Sequence, residues 1–345
     1  MILRRKKKAG QRIRKKYNSY TAFTTYYLPR PNGVQPGGHL SLLLMSDKTC
    51  IIIVGPTAAG KTKLSLQLAE YFNTAIISAD SRQCYRELDI GVAKPGAADL
   101  QKIKHYFISS HSIHDVVNAG VFENYALQAV HEIFDTHDSV IMAGGTGLYI
   151  KAFCYGMDAM PEVKEEVRQL VRKQYHALGT SWLQEMLHQH DPLFYAKGEM
   201  QNPQRMMRAL EIKLSSGTSI LKWHSLPQKK RDFSIIKIGI ELPRNEIYQN
   251  INKRVDTMME QGLLEEVKSL YPNRNINALQ TVGYSELFDY IDGRLTLQEA
   301  VDAIKKNTRH YAKRQITWFK RDETIQWFAP DNRIDILDFI EKNIH

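Results

Sequence analysis

Eight consecutive residues carry the clearest chemistry in the sequence, because they form a loop that could hold a diphosphate. The pattern GxxxxGK[ST] is satisfied in full by Gly55, Pro56, Thr57, Ala58, Ala59, Gly60, Lys61 and Thr62. In such a loop the backbone N–H groups face the phosphates, a lysine adds positive charge and the last hydroxyl can ligate Mg²⁺. We therefore predict a diphosphate site with Lys61 as its charge and Thr62 as a metal ligand. The pattern leaves the identity of the diphosphate open.

The flanking segments have the periodicity of a strand and a helix. Residues 50–54 (CIIIV) form a short apolar run, and residues 62–72 carry apolar side chains at helical spacing. Further strand patterns follow at residues 75–79 and 139–143, the latter leading into a glycine-rich turn around Thr146. The order strand, loop, helix, strand predicts an α/β fold, with a phosphate loop on a parallel sheet that helices cover.

Asp80 directly follows the second predicted strand. Ligands of open α/β sheets gather at the carboxyl ends of the strands, where a carboxylate can bind magnesium or accept a proton. The ordinary alternative is an aspartate that caps a surface turn. The position of Asp80 beside the phosphate loop favours the functional interpretation.

The remaining patterns divide the chain into segments. Residues 161–216 contain no strand candidate and predict an inserted all-helical domain. A strand is predicted at residues 233–240, and amphipathic helices at residues 244–270 and 297–319. We therefore predict the following organisation: an N-terminal arm at 1–45, the first part of the phosphate-loop core at 46–160, the insertion at 161–216 and the second part of the core at 217–345.

The positive charge of the chain is confined to its first residues. The formal net charge is +10, yet residues 1–45 hold ten Lys or Arg and no acidic residue, and the remainder holds 37 of each sign. The arm could be a targeting presequence, a basic segment that touches RNA or untranslated sequence before a start at Met45; we favour the last. If the remainder of the chain binds a polyanion, it must do so through a local basic patch, because its net charge is zero.

Composition excludes several classes of protein. No run approaches the roughly 20 apolar residues of a membrane-spanning helix. The three cysteines, Cys50, Cys84 and Cys154, form no CxxC pair, which argues against structural zinc and for a reducing compartment. We expect a monomeric protein of the cytoplasm that has no membrane segment.

Six blocks, in order, resemble the signatures of bacterial tRNA dimethylallyltransferases. They are GPTAAGKT (55–62), ISADSRQ (77–83) with a downstream DIGVAKP (89–95), AGGTGLY (143–149), QRMMRALE (204–211), TVGYSEL (281–287) and KRQITWFK (313–320). The resemblance spans about residues 48–328. Eukaryotic relatives carry a C-terminal zinc finger, for which this chain has no cysteines, so the bacterial type is favoured.

The resemblance implies the reaction and the residues that perform it. The family transfers the dimethylallyl group of dimethylallyl diphosphate to the exocyclic amine (N6) of the adenosine beside the tRNA anticodon, with Mg²⁺ present and diphosphate released. By motif, Asp80 accepts the proton of the amine. Lys61, the loop amides and Thr146 stabilise the leaving diphosphate, and Arg254 faces the same group.

The resemblance also implies contacts with the tRNA anticodon stem-loop, because the target adenine must leave its stack and be gripped with its neighbours. The basic and aromatic residues of the last block have the side chains that phosphate contact and base stacking require. Ser285 departs from the basic residue often seen after Gly-Tyr. The implied tRNA contacts are Asp80, Ser81, Arg82, Gln83, Arg168, Gln204, Arg205, Met206, Met207, Arg208, Gln280, Thr281, Val282, Gly283, Tyr284, Ser285, Lys313, Arg314, Gln315, Trp318 and Lys320.

Two other functions share some of these features. A nucleoside or nucleotide kinase would have the same loop, sheet and helical lid, but the third predicted strand ends at Ala143 without the acidic residue that usually ligates magnesium in nucleotide hydrolases. An RNA-binding switch would use the loop to sense a nucleotide. Phosphate transfer from ATP would indicate the kinase, and nucleotide binding without a covalent product on RNA would indicate the switch.

Overall fold

The computed structural model describes residues 48–157, 160–223 and 229–344. The predicted arm, residues 1–45, and the candidate start at Met45 lie outside the described residues. Among the described residues, no helix has the length and apolar character needed to cross a membrane.

Six parallel strands form one sheet in the order β3-β2-β4-β1-β5-β6. The predicted α/β class with a parallel, helix-covered sheet is confirmed. The short β3 and β6 were not predicted, because two or three residues are too few to show a periodicity. The strands are β1 Thr49–Val54, β2 Ile76–Ala79, β3 His105–Tyr106, β4 Ser139–Gly144, β5 Ser234–Ile240 and β6 Gln326–Phe328.

Helices cover both faces of the sheet and continue beyond it. The sequence pattern placed one helix at residues 244–270, whereas the structure has two, separated at Gly262 with a φ of 99°. The helices are α1 Lys61–Phe72, α2 Ala97–Lys102, α3 Ala119–Phe134, α4 Gly147–Tyr155, α5 Glu165–His190, α6 Pro192–Lys197, α7 Pro203–Ser216, α8 Arg244–Glu260, α9 Leu263–Leu270, α10 Ser285–Ile291, α11 Leu297–Phe319 and α12 Arg333–Asn343.

The central strand β1 is buried on both faces, which explains its continuous apolar sequence. Cys50, Ile52 and Val54 point into a core shared with α3 and α4. The alternate residues Ile51 and Ile53 pack against α1 and α12 on the other side. This two-sided burial fixes the register of β1, so the loop after Val54 leaves the sheet at a defined point.

Helices α5, α6 and α7 pack around a hydrophobic cluster of their own. Leu183 and Leu187 of α5 meet Phe194 of α6 and Met206 and Leu210 of α7 there. Asp191 and Asn202 cap the following helices, each of which has proline at its first position. Local sequence signals therefore account for this helical segment.

A buried ion pair anchors α4, the helix that begins directly after Thr146. Arg231 donates to Glu123 of α3 at 2.9 Å and to the carbonyl oxygens of Phe153 and Ala152 at 2.6 and 3.0 Å. The two side chains are only 9% and 6% exposed. The pair therefore ties the last turn of α4 to α3 and to the chain that enters β5.

We expect Arg231→Ala to lower the free energy of unfolding by about 3–5 kcal/mol, because Glu123 is left charged and buried without its partner. Denaturant unfolding followed by circular dichroism measures this loss. Lys229→Ala is the matched control, since Lys229 is 61% exposed and lies 3.7 Å from the same carboxylate. That change should cost less than about 1 kcal/mol. Equal losses in the two variants would contradict the assignment of the anchor to Arg231.

Candidate active site

The phosphate loop joins the carboxyl end of β1 to the N-terminus of α1. Gly55 has a φ of 146°, and a Cβ there would lie 2.8 Å from the carbonyl oxygen of Ile240 on the neighbouring strand. Gly60 precedes α1 with a φ of 89°. Both positions need glycine, because close backbone approach and left-handed conformation exclude a side chain. The loop therefore exposes its amides at the edge where the strands end.

Side chains from distant helices hold this loop in shape. Gln315 of α11 accepts from the N–H of Thr57 at 2.8 Å and donates to the carbonyl of Gly145 at 2.9 Å. On α8, Asn250 donates to the carbonyl of Ala58 at 3.2 Å, and Arg254 donates to the hydroxyl of Thr57 at 3.1 Å. The C-terminal half of the chain thus completes the phosphate loop.

Two cations point into the space that the loop encloses. Lys61 donates to the carbonyl of Pro56 at 2.7 Å. Burial and, to a smaller degree, the Arg254 guanidinium lower the pKa of Lys61 to about 7, while Asp80 acts in the opposite direction. Burial also lowers the pKa of Arg254. Two desolvated positive groups at one site favour a multiply charged anion as ligand.

Asp80 forms a tight turn at the carboxyl end of β2. One carboxylate oxygen accepts from the N–H groups of Arg82 and Gln83 at 2.8 and 3.3 Å. The hydroxyl of Thr146, after β4, accepts from the N–H of Ser81 at 3.1 Å. The ends of β2 and β4 are therefore tied together, and Asp80 is held beside the phosphate loop.

Two adjoining cavities meet at Asp80. The first, of about 320 Å³, is enclosed by the phosphate loop, Lys61 and Gln315. The second, of about 220 Å³, has one aliphatic wall and one polar side. That wall includes Val92, Val255, Met258, Val282 and Ile304. Six residues line both cavities: Thr57, Asp80, Val92, Ala93, Arg254 and Tyr311.

Tyr311 was not predicted as a site residue, although it lies between the two cavities. Burial and, to a smaller degree, the nearby Asp80 raise the pKa of Tyr311 to about 12. Its phenol therefore keeps its proton at neutral pH. Helical spacing could have found it, because Tyr311 lies four residues before Gln315 on the same face of α11.

The glycines of the AGGTG block are explained by close packing. A Cβ at Gly144 would lie 2.2 Å from the carbonyl oxygen of Ala79, and one at Gly145 would lie 2.0 Å from the amide of Gln315. At Gly147 it would lie 2.2 Å from the ring of Trp318. These glycines let β2 and α11 approach the turn that carries Thr146.

Several of the residues predicted as tRNA contacts have buried side chains. Met206 and Met207 are 0% and 7% exposed within the helical cluster, because α7 turns its apolar face toward α5. Tyr284 is fully buried and Gln315 is 5% exposed. Trp318 is half-buried against Gly147. These five side chains pack within the protein.

The other predicted tRNA contacts fall into two groups. Residues at the cavities are Asp80, Ser81, Arg82, Gln83, Thr281, Val282 and Gly283. Residues outside both cavities are Arg168, Gln204, Arg205, Arg208, Gln280, Ser285, Lys313, Arg314 and Lys320, of which Ser285, Arg168 and Arg208 are half-buried and the rest are exposed. Arg168 and Arg208 lie near Glu211, together with Arg172.

Comparison with known proteins gives matches over most of this chain. The family model described as IPP transferase matches residues 83–322. A tRNA dimethylallyltransferase of Flavobacterium johnsoniae is 46% identical over 304 residues, covering 86% of this chain and 98% of that protein. The tRNA dimethylallyltransferase 1 of Bacteroides fragilis is 42% identical, covering 87% of this chain and all of that protein.

Among solved structures, the full-length tRNA isopentenylpyrophosphate transferase of Bacillus halodurans superposes with a TM-score of 0.65 at 34% identity. The match covers 86% of this chain and 97% of that one. These matches confirm the resemblance carried by the six sequence blocks. The chain therefore belongs to the IPP transferase family, and its named bacterial relatives are tRNA dimethylallyltransferases.

Proposed function

We propose that this chain transfers the dimethylallyl group of dimethylallyl diphosphate to N6 of the adenosine beside the anticodon of tRNA, in the cytoplasm, and releases diphosphate. The observation that carries the proposal is that a cavity lined by Lys61 and Arg254, the cationic cavity, joins at Asp80 the cavity with the aliphatic wall, the aliphatic cavity. A prenyl diphosphate has the same division, with charged oxygens at one end and a hydrocarbon chain at the other.

The diphosphate of the donor binds in the first cavity. The loop amides, Lys61 and Arg254 surround its oxygens there, and the loss of their hydration is offset by charge-assisted hydrogen bonds. The five-carbon chain then extends toward Val255 and Met258 in the second cavity. This places the reactive first carbon near Asp80, which borders both spaces.

The transfer forms one bond and breaks another. The N6 lone pair attacks the first carbon of the prenyl chain, the bond from that carbon to the diphosphate oxygen breaks, and both electrons leave with the diphosphate. Asp80 takes the proton that the amine loses. Lys61 and the loop amides stabilise the negative charge that grows on the leaving oxygen, and Thr146 holds the turn that faces it.

The residues present fit a magnesium ion that is bound mainly by phosphate. Among the residues that the structure describes, no group of three His, Cys, Asp or Glu side chains could hold a metal ion. Thr62, exposed at the start of α1, offers a hydroxyl beside the phosphate loop. Mg²⁺ commonly keeps several waters and takes its other ligands from substrate phosphates, so Thr62 would hold it there. When bound, it supplies positive charge that neutralises the diphosphate.

The acceptor reaches Asp80 through the second cavity. Ser81, Arg82 and Thr281 line its polar side, where the flipped adenosine and its neighbours can be gripped. Lys313 and Arg314 are exposed on α11 and offer phosphate contacts to the anticodon stem-loop. The arginines near Glu211 extend the basic surface onto α5 and α7.

The proposal is tested by incubating the protein with tRNA and labelled dimethylallyl diphosphate, followed by mass spectrometry of the nucleosides. We expect one prenylated adenosine beside the anticodon. Labelled phosphate moving from ATP to an acceptor would instead identify a kinase. Tight nucleotide binding without modified RNA would identify a switch.

We expect Asp80→Asn to lower the rate of prenyl transfer about 10²–10⁴-fold, because the amide cannot accept the proton. The amide oxygen can still accept from the N–H groups of Arg82 and Gln83, so the turn is preserved. Single-turnover kinetics with saturating donor measure the rate. Binding of the anticodon stem-loop should change less than about threefold, which is under 1 kcal/mol.

The control for this variant is Asp302→Asn, an exposed position on α11 where an amide keeps the hydrogen bond from Gln298. Its transfer rate should equal that of the wild type. An Asp80→Asn enzyme within threefold of the wild type would remove Asp80 as the proton acceptor.

Lys61→Met should abolish transfer yet stabilise the ligand-free protein. Below about pH 7 the lysine is charged in the folded and unfolded states, so folding removes a charge from water. That cost is fully present below pH 7 and is lost as the pH rises toward about 10.4, where unfolded lysine titrates. We expect Lys61→Met to gain about 1–3 kcal/mol of unfolding free energy at pH 6, and less at pH 9.5.

Denaturant unfolding at both pH values measures this difference, with Lys63→Met as control because Lys63 is exposed on the same helix. The control should show no pH-dependent gain. A Lys61→Met protein less stable than the wild type at pH 6 would show that desolvation of this charge is not the dominant effect.

A further inference from the structure

One carboxylate outside both cavities accepts four hydrogen bonds. Glu266 of α9 accepts from the N–H groups of Ile90, Asp89 and Gly91 at 2.7, 3.2 and 3.1 Å. It also accepts from the hydroxyl of Tyr284 at 2.5 Å. Its oxygens are thereby occupied by donors, three of which belong to the short 3₁₀ helix Ile90–Val92 and the residue before it.

The segment that Glu266 holds, residues 89–93, forms a wall common to both cavities. Val92 and Ala93 line the cationic and the aliphatic cavity, and Gly91 lines the aliphatic one. The carbonyls of Val92 and Ala93 accept from the side chain of Gln83 at 3.3 and 3.0 Å. Together with Met258 and Ile304, the segment lines the cavity in which the prenyl chain is proposed to lie.

The same segment is supported from behind by Tyr284. A Cβ at Gly91 would lie 2.6 Å from the hydroxyl and ring of this tyrosine, so the backbone there rests directly on the aromatic side chain. Burial and the neighbouring Glu266 raise the pKa of Tyr284, which keeps its hydroxyl a donor. The hydrogen bonds of Glu266 and the packing of Tyr284 therefore both oppose an outward movement of residues 89–93.

We propose that Glu266 is a positioning residue that sets the width of the aliphatic cavity and so restricts the donor to a short prenyl chain, an inference that rests on the proposed function. A single 3₁₀ turn is intrinsically weak, and its first N–H groups have no partner within the turn. Glu266 supplies that partner as a charged acceptor, whose hydrogen bonds are stronger than neutral ones.

The test compares Glu266→Gln with Glu265→Gln, a neighbouring and exposed glutamate on the same helix. The values of kcat/KM for geranyl and dimethylallyl diphosphate are measured with one anticodon stem-loop. Their ratio does not depend on the fraction of folded enzyme, so a merely structural loss leaves it unchanged. We expect the ratio to rise at least tenfold in favour of the longer donor for Glu266→Gln, and to stay within twofold for Glu265→Gln.

Hydrogen exchange of residues 89–93 gives an independent readout. Exchange should accelerate in Glu266→Gln and, to a smaller degree, in Tyr284→Phe, which removes one bond and serves if the first variant does not fold. Unchanged exchange in Glu266→Gln would show that Glu266 does not hold residues 89–93. Faster exchange with an unchanged ratio of the two kcat/KM values would show that this segment does not select the length of the prenyl chain. If the wild type transfers no prenyl group, the proposed function fails, and the ratio of the two diphosphate dissociation constants then tests Glu266 by itself.

Discussion

The site depends on two positive groups kept away from water at the end of β1. Burial lowers the pKa of both Lys61 and Arg254, and the Arg254 guanidinium lowers that of Lys61 as well. Folding therefore desolvates both cations, and Asp80 offsets only part of that cost, because both pKa values stay lowered. A diphosphate supplies several negative oxygens at once. Strong binding of the diphosphate follows, because its negative charge stabilises the two partly uncompensated cations.

A parallel sheet explains how residues far apart in sequence reach this site. The carboxyl ends of β1, β2 and β4 lie side by side, which places the phosphate loop, Asp80 and Thr146 along one edge. The sheet alone does not finish the site, since Gln315 binds Thr57 across 258 residues of sequence. Helix α11 is therefore as much a part of the donor site as the loop itself.

The sequence could predict what depends on local pattern. The phosphate loop, its flanking strand and helix, and the placement of Asp80 all follow from contiguous residues. The sequence does not show whether a motif residue is buried, because membership of a motif says nothing about the direction of its side chain. Tyr284 and Gln315 are predicted tRNA contacts, and the sequence does not show that they bind Glu266 and the phosphate loop. Glu266 itself contacts residues about 175 positions away, and no periodicity reports such a pairing.

The balance of charge along the chain restricts which surfaces can attract RNA. Outside residues 1–45 the chain carries equal numbers of basic and acidic residues, so attraction to a polyanion must be local. On the helical segment, Arg168, Arg172 and Arg208 lie near one buried carboxylate, Glu211, whose pKa burial raises despite the three arginines. Glu165 also pairs with Arg168 at 3.1 Å, so two carboxylates face three arginines here. Because Glu211 pairs with Arg208 and Glu165 pairs with Arg168, part of the entropy of ordering these two side chains is lost on folding and not on binding RNA.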